Sequence, residues 1–114
     1  MKKYIVVNFE VEWLHNRPEC DIEGMEYLRS LHRHIFHISC KREVSHNDRD
    51  VEIIIFKREI SHFLKTKYND PHYWCLLFGR MSCEDIAELL IEKFWLSSCE
   101  VLEDGENWAF ISNE

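Results

Sequence analysis

The sequence lacks a long apolar segment and an excess of basic residues. No segment approaches the roughly 20 apolar residues that span a membrane, and the apolar run after Met1-Lys2-Lys3 is too short for a secretory signal. The chain has 14 Lys and Arg against 21 Asp and Glu, a formal net charge of −7. Binding nucleic-acid phosphates requires a positive surface. We therefore expect a soluble, cytoplasmic protein without a membrane or nucleic-acid partner.

The sequence also lacks the signals of paired or metal-binding cysteines. Its five cysteines are an odd number, show no Cys-x-x-Cys spacing and occur without an export signal. Reduced thiols are therefore expected.

Length and hydrophobic content predict one compact domain spanning residues 1–114. The chain has 114 residues, of which 46% are hydrophobic, and it contains no repeat or linker. A chain this short covers its apolar surface incompletely, so association between copies would help to bury it.

Hydrophobic spacing predicts four strands and two helices. Apolar and polar residues alternate from Tyr4 to Trp13 and again around His34 to Lys41, which is the period of half-buried strands. Val51 to Phe56 is apolar and predicts a strand or strand end. Helical spacing follows from Phe56 to Tyr68 and, after a Ser82 capping signal, up to Trp95. Two short strands are expected at 98–103 and 107–112.

The segments between these elements are predicted to be loops. Residues 16–24 form one loop, followed by a short helical turn at 25–30, and residues 71–81 form another. The turn Asp104-Gly105-Glu106 predicts a tight final hairpin. The order is thus strand, strand, helix, helix, strand, strand. It predicts an α+β fold, an antiparallel four-stranded sheet with two helices on one face.

Three histidines form a candidate metal site. His32 and His34 project from one side of a strand, about 7 Å apart along it. If the first two strands pair through the loop at 16–31, His15 lies beside them. Three neutral imidazoles suit Zn²⁺ and leave a fourth position open. By itself, the His-x-His spacing also fits an ordinary polar pair.

Other titratable residues are candidates for substrate binding and proton transfer. Glu103 precedes a turn, where its carboxylate could accept two N–H donors from a heterocycle, although it could also be a solvated acid. His72 follows Asp70 at two residues and could be a general base oriented by that carboxylate. An ordinary loop histidine fits the same pattern.

Several motifs, in order along nearly the whole chain, resemble the 6-pyruvoyl-tetrahydropterin and 6-carboxytetrahydropterin synthase family. Val11-Glu12-Trp13-Leu14-His15 approximates the family's Phe-x-x-x-His pattern, and Leu31-His32-Arg33-His34 matches Leu-His-Gly-His. Met81-Ser82-Cys83-Glu84 echoes Pro-Thr-x-Glu. The stretch from Glu103 to Trp108-Ala109 matches a closing Glu-x-x-x-x-Trp-Ala motif.

The resemblance implies a tunnelling fold, a homo-oligomer such as a hexamer made of two trimers, and sites between subunits. It implies zinc on His15, His32 and His34, and a pterin substrate, 7,8-dihydroneopterin triphosphate, whose ring is held by Glu103. It also implies a base that moves protons as triphosphate leaves.

The chain departs from the family at the catalytic cysteine. The two positions that carry the nucleophile or base in different branches hold Leu28 and Glu26, and glutamate replaces cysteine in some relatives, which makes Glu26 a candidate base. Cys20 is the nearby thiol. The family's Leu-Asp-His motif is altered to Asn69-Asp70-Pro71-His72, and Arg33 replaces the glycine of His-Gly-His.

Three hypotheses follow. The first is a zinc-dependent lyase of the pterin synthase type, acting on dihydroneopterin triphosphate in the queuosine or deazaguanine route. The second is an altered relative that binds a pterin or purine-like ligand without that turnover. The third is a small α+β assembly module whose histidines are structural.

Overall fold

The computed structural model describes residues 1–72 and 75–114 as six strands and two α-helices. A short 3-10 turn at Glu26–Arg29 lies between the first two strands, as the sequence predicts. In chain order the elements are β1 (Lys3–His15), β2 (His32–Val44), α1 (Ile53–Tyr68), β3 (Asn69–Asp70), β4 (Cys75–Gly79), α2 (Cys83–Phe94), β5 (Ser98–Glu103) and β6 (Asn107–Ser112).

The two longest strands, β1 and β2, form an antiparallel pair along their whole length. The register runs from Lys3 opposite Val44 to His15 opposite His32. Strand β5 then pairs antiparallel with β2, and β6 pairs antiparallel with β5. The predicted pairing of the first two strands and the final hairpin are confirmed.

The predicted four-stranded antiparallel sheet, and the tunnelling arrangement inferred with it, are wrong. The strands form one six-stranded mixed sheet in the order β3-β4-β1-β2-β5-β6. Strand β4 runs parallel to β1, with Trp13 opposite Leu76, and β3 pairs antiparallel with β4. The segment predicted as a loop at 71–81 contains β4 because Leu76 and Phe78 are buried in the core. The α+β class itself is confirmed.

One hydrophobic core joins the sheet to both helices. Trp13 and Phe36 from the central strands are fully buried, as are Ile60 of α1 and Leu90 of α2. Burying such side chains is the main favourable contribution to folding. In the two described ranges, neither helix has the length and apolar character that crossing a bilayer requires.

Helix α1 begins within the segment predicted as a strand, Val51 to Phe56. The Glu52 side chain accepts a hydrogen bond from the backbone N–H of Ile54 at 3.1 Å, which caps the helix. Phe56 then enters the core, whereas Ile54 and Ile55 are exposed. A strand over these residues was therefore the wrong prediction.

Helix α2 begins where the sequence predicts. The Ser82 hydroxyl accepts from the Asp85 N–H at 3.1 Å, and the Asp85 carboxylate accepts from the Ser82 N–H at 3.0 Å. This reciprocal capping box fixes the first turn of α2.

Candidate metal centre

The strand register brings the three histidines together. His15, at the end of β1, lies directly opposite His32, at the start of β2. His34 is two residues further along β2, on the same face. The ring centroids are 4.5 Å apart for His15 and His32, 5.2 Å for His15 and His34, and 4.9 Å for His32 and His34. One nitrogen of each ring lies within 4.8 Å of the others.

Each imidazole is oriented by an oxygen acceptor at its Nδ1 atom. The acceptors are the Met81 carbonyl at 3.3 Å from His15, the Ser30 carbonyl at 3.0 Å from His32, and the Asp104 carboxylate at 2.6 Å from His34. Since these oxygens only accept, Nδ1 is the donor in each pair, which assigns the tautomer of a neutral ring. The lone pair of Nε2 is then left for a cation.

The surroundings of His15 favour its neutral form. Burial lowers the pKa of His15 most, and the neighbouring His32 and His34 lower it further. The hydrogen bond to Met81 and the charge of Glu103 raise this pKa but do not outweigh the burial. Neutral imidazole is the form that binds a metal ion.

The donor set fits a transition-metal ion. Three imidazole nitrogens are a common protein ligand set for Zn²⁺ with a fourth position open. Imidazole also binds copper, iron and nickel, so three imidazole donors do not by themselves select zinc.

A carboxylate and a thiol lie beside the cluster. The Glu103 Oε1 atom is 3.8 Å from His15 Nε2 and accepts a hydrogen bond from Cys83 Sγ at 3.3 Å. Burial is the main cause that raises the pKa of Cys83, and the negative charge of Glu103 raises it further. The thiol is therefore protonated at neutral pH and donates to Glu103. Nothing in the sequence indicates this contact, because Cys83 and Glu103 lie 20 residues apart and meet only in the folded chain.

These groups open into one cleft of about 760 Å³. Its volume is within the range of small-molecule sites. Arg80 lies on the cleft wall, where its guanidinium contacts the Glu19 carboxylate at 2.9 Å. The cleft lining includes His15, His32, His34, Cys83 and Glu103.

The predicted proton-transfer residues are not part of this lining in the described chain. Glu26 lies in the 3-10 turn, where its carboxylate accepts from the Gly24 N–H at 3.3 Å. Asp70 lies in β3 and accepts from the backbone N–H of His72 at 2.8 Å. The structure thus brings together the predicted metal ligands and Glu103, while the roles of Glu26, Asp70 and His72 stay predictions.

Cys20, the thiol that the sequence places near Glu26, is buried in the loop after β1. Its Sγ atom donates to the Met25 carbonyl at 3.6 Å. The contact organises the loop, which also contributes Met25 to the cleft wall.

Asp104 is a site residue that the sequence analysis missed. The Asp104-Gly105 dipeptide predicts a turn. The contact between the Asp104 side chain and His34 depends on how that turn packs against β2. The backbone N–H of Asp104 donates to the Ile35 carbonyl at 2.8 Å, beside the histidine.

Comparison with known proteins adds a fold relationship. No protein-family model matches the chain, and no curated protein matches it. A crystal structure of an uncharacterized protein from Wolinella succinogenes superposes with a TM-score of 0.62 at 17% identity, covering 100% of this chain and 99% of the other. At this identity the match shows a shared fold alone.

Proposed function

We propose that the chain is a zinc-dependent lyase of the 6-carboxytetrahydropterin synthase type, acting on 7,8-dihydroneopterin triphosphate in the queuosine or deazaguanine route. The observation that carries the proposal is the convergence of three imidazoles, each with Nδ1 held by an acceptor, beside the Glu103 carboxylate. The motif resemblance supplies the substrate class.

In this proposal the three histidines hold the metal and Glu103 holds the heterocycle. A bound Zn²⁺ would act as a Lewis acid toward the oxygens of the substrate side chain. The Glu103 side chain is 33% exposed, so it can accept N–H donors from a pterin ring. The Cys83 thiol donates to Oε1 of this carboxylate and so fixes its orientation.

Proton transfer is assigned to Glu26 or to His72 with Asp70. Glu26 lies between Met25 and Tyr27, which line the cleft, and its carboxylate accepts from the Gly24 N–H. Histidine titrates near neutrality and suits a general base.

The alternative is a protein that binds a pterin or purine-like ligand without synthase turnover. The specific observation in its favour is that Glu26, Asp70 and His72 do not line the cleft within the described residues. Metal binding requires only the three histidines and is common to both candidates.

We also propose a cytoplasmic homo-oligomer, with the hexamer as its expected form. Strand β6 lies at a sheet edge and contains no charged residue, and its Trp108 and Phe110 are each 59% exposed. Such an edge favours pairing with another chain. A second copy paired at this edge would cover these aromatic side chains.

Metal analysis and a substrate assay test the proposal in sequence. Protein purified without a histidine tag should hold about one zinc per chain, and His32→Ala should lose it. The matched control is His37→Ala, since His37 lies on the same strand but contacts Glu10 at 3.3 Å instead. A wild-type protein without metal would overturn the metal site.

Incubation with dihydroneopterin triphosphate then separates the two candidates. Release of triphosphate with formation of a carboxypterin supports the synthase, and Glu26→Gln and His72→Asn should reduce turnover with zinc retained. Zinc and pterin binding without triphosphate release would reject the synthase in favour of the binding protein.

A further inference from the structure

The turn between β5 and β6 places one carboxylate against both the backbone and the ring of the metal-site strand. Asp104 Oδ1 accepts a hydrogen bond from the Ile35 N–H at 2.9 Å, and Oδ2 accepts one from His34 Nδ1 at 2.6 Å. The Asp104 N–H also donates to the Ile35 carbonyl at 2.8 Å. Two hydrogen bonds thus hold the carboxylate against β2, and a third holds the Asp104 backbone beside His34.

The backbone at this position supports the contact. Asp104 has a φ of 53° and the following Gly105 has a φ of 73°, both in the left-handed region. Asp and Asn tolerate this conformation better than most residues with a Cβ atom. The left-handed turn aims the Asp104 side chain back toward β2.

His34 differs from the other two histidines in the charge of its acceptor. His15 and His32 each donate to a neutral backbone carbonyl, whereas His34 donates to a carboxylate at the shortest of the three distances. A carboxylate behind an imidazole fixes the ring and makes its other nitrogen a stronger metal donor. A charge-assisted hydrogen bond is also stronger than a neutral one.

We propose that Asp104 is a positioning residue for the metal site, which raises metal affinity by orienting His34 and increasing the donor strength of its Nε2 atom. The inference rests on the proposed metal binding. Asp104 does not itself coordinate the ion, because its carboxylate is engaged on the Nδ1 side of the ring. The site is thus a carboxylate–histidine–metal arrangement at one of its three ligands.

Two substitutions at Asp104 test this role while respecting the left-handed backbone. Asp104→Asn keeps the shape of the side chain and removes its charge, and Asp104→Gly removes the side chain at a φ that glycine adopts freely. The control is Glu106→Gln, which removes the same charge from an exposed position in the same turn.

The measurement is the Kd for Zn²⁺ of the full chain, determined by competition with a chelator of known affinity. Both Asp104 variants should bind about 10- to 100-fold more weakly, while Glu106→Gln should stay within about threefold because an exposed charge is screened by salt. Absorption of the Co²⁺-loaded protein should show the same coordination number in all variants, as expected if Asp104 is not a ligand.

The outcomes distinguish this inference from the metal site itself. A wild-type protein that binds no zinc overturns the metal site, and the role of Asp104 with it. A wild-type protein that binds zinc, with both Asp104 variants within about threefold of it, overturns the role of Asp104 alone. Thermal unfolding of the metal-free variants checks that they fold. An equal loss of Zn²⁺ affinity in Glu106→Gln would show that the loss comes from the change in net charge, and would also overturn the role of Asp104.

Discussion

The Cys83 thiol donates a hydrogen bond to Glu103 Oε1 at 3.3 Å, and the same oxygen lies 3.8 Å from His15 Nε2. One carboxylate oxygen thus faces both the thiol at the start of α2 and the imidazole at the end of β1. Burial and the negative charge of Glu103 both raise the pKa of Cys83. The thiol is consequently a hydrogen-bond donor rather than a nucleophile at neutral pH.

Alkylation rates test the state of this thiol. At pH 8, iodoacetamide should label Cys83, which is 7% exposed, more slowly than the partly exposed Cys75 of the same molecule. Glu103→Gln should speed labelling of Cys83 about 3- to 10-fold, because the thiolate fraction rises tenfold for each unit by which the pKa falls.

Peptide mass spectrometry measures both rates in one sample, and Glu106→Gln is the control for a charge change in the same hairpin. Wild-type Cys83 that reacts as fast as Cys75 would contradict a buried, protonated thiol. An unchanged labelling rate in Glu103→Gln would show that Glu103 does not raise the pKa of Cys83.

Zinc should stabilise the folded chain through the three histidines. A ligand that binds only the native state adds about 2.7 kcal/mol when its concentration is 100 times Kd. For a domain of this size the corresponding rise in Tm is roughly 10 °C. His15→Ala should abolish the rise seen by calorimetry, and His37→Ala should retain it. A rise that survives loss of His15 would locate the ion elsewhere.

Two isoleucines of α1, one buried and one exposed, allow a matched test of core packing. Ile60 is fully buried, whereas Ile54 is 60% exposed on the same helix. Ile60→Ala should lower the free energy of unfolding by about 2–5 kcal/mol, through lost burial and the cavity left behind. Ile54→Ala should change it by less than about 0.5 kcal/mol. Urea denaturation measures both, and equal losses would contradict the packing of α1.

The features that follow from local periodicity could be predicted from the sequence. Side chains on a strand alternate between faces, so the parity of Trp13 and His15 placed both on the core side of β1. Pairing of the first two strands through the loop at 16–31 predicts His15 beside His32 and His34, and the observed register confirms that pairing. The capping box from Ser82 to Asp85 is local as well, and the structure confirms it.

The features that depend on contacts between residues far apart in the chain could not be predicted from the sequence. A short apolar run such as Cys75–Gly79 becomes a strand only because it pairs parallel with β1. Ile53 to Ile55 are β-branched and favour a strand, but a Glu52 cap and the burial of Phe56 outweigh that preference. The contact from Asp104 to His34 combines a left-handed turn with the position of β2, and neither alone indicates it.

A pH effect is expected at the contact between Tyr4 and the last residue of the chain. A hydrogen bond to the Glu114 carboxylate, aided by burial and by the charges of Glu114 and Glu43, raises the pKa of Tyr4 to about 12. This folded-state pKa lies above the ordinary tyrosine pKa of 10.0. The contact therefore adds stability below about pH 10, and the contribution is lost as the pH rises from 10 toward 12.

Tyrosine ring resonances followed by NMR at increasing pH measure the ionisation of Tyr4 directly. At pH 11, Tyr4 should be about 10% ionised in the wild type, and about 90% ionised if Glu114→Gln returns its pKa to the ordinary value. Glu43→Gln is the matched control, because Glu43 contributes the smallest of the causes that raise the pKa. It should shift the titration less than Glu114→Gln does. A wild-type Tyr4 that titrates near pH 10 would show that the hydrogen bond to Glu114 does not persist in solution.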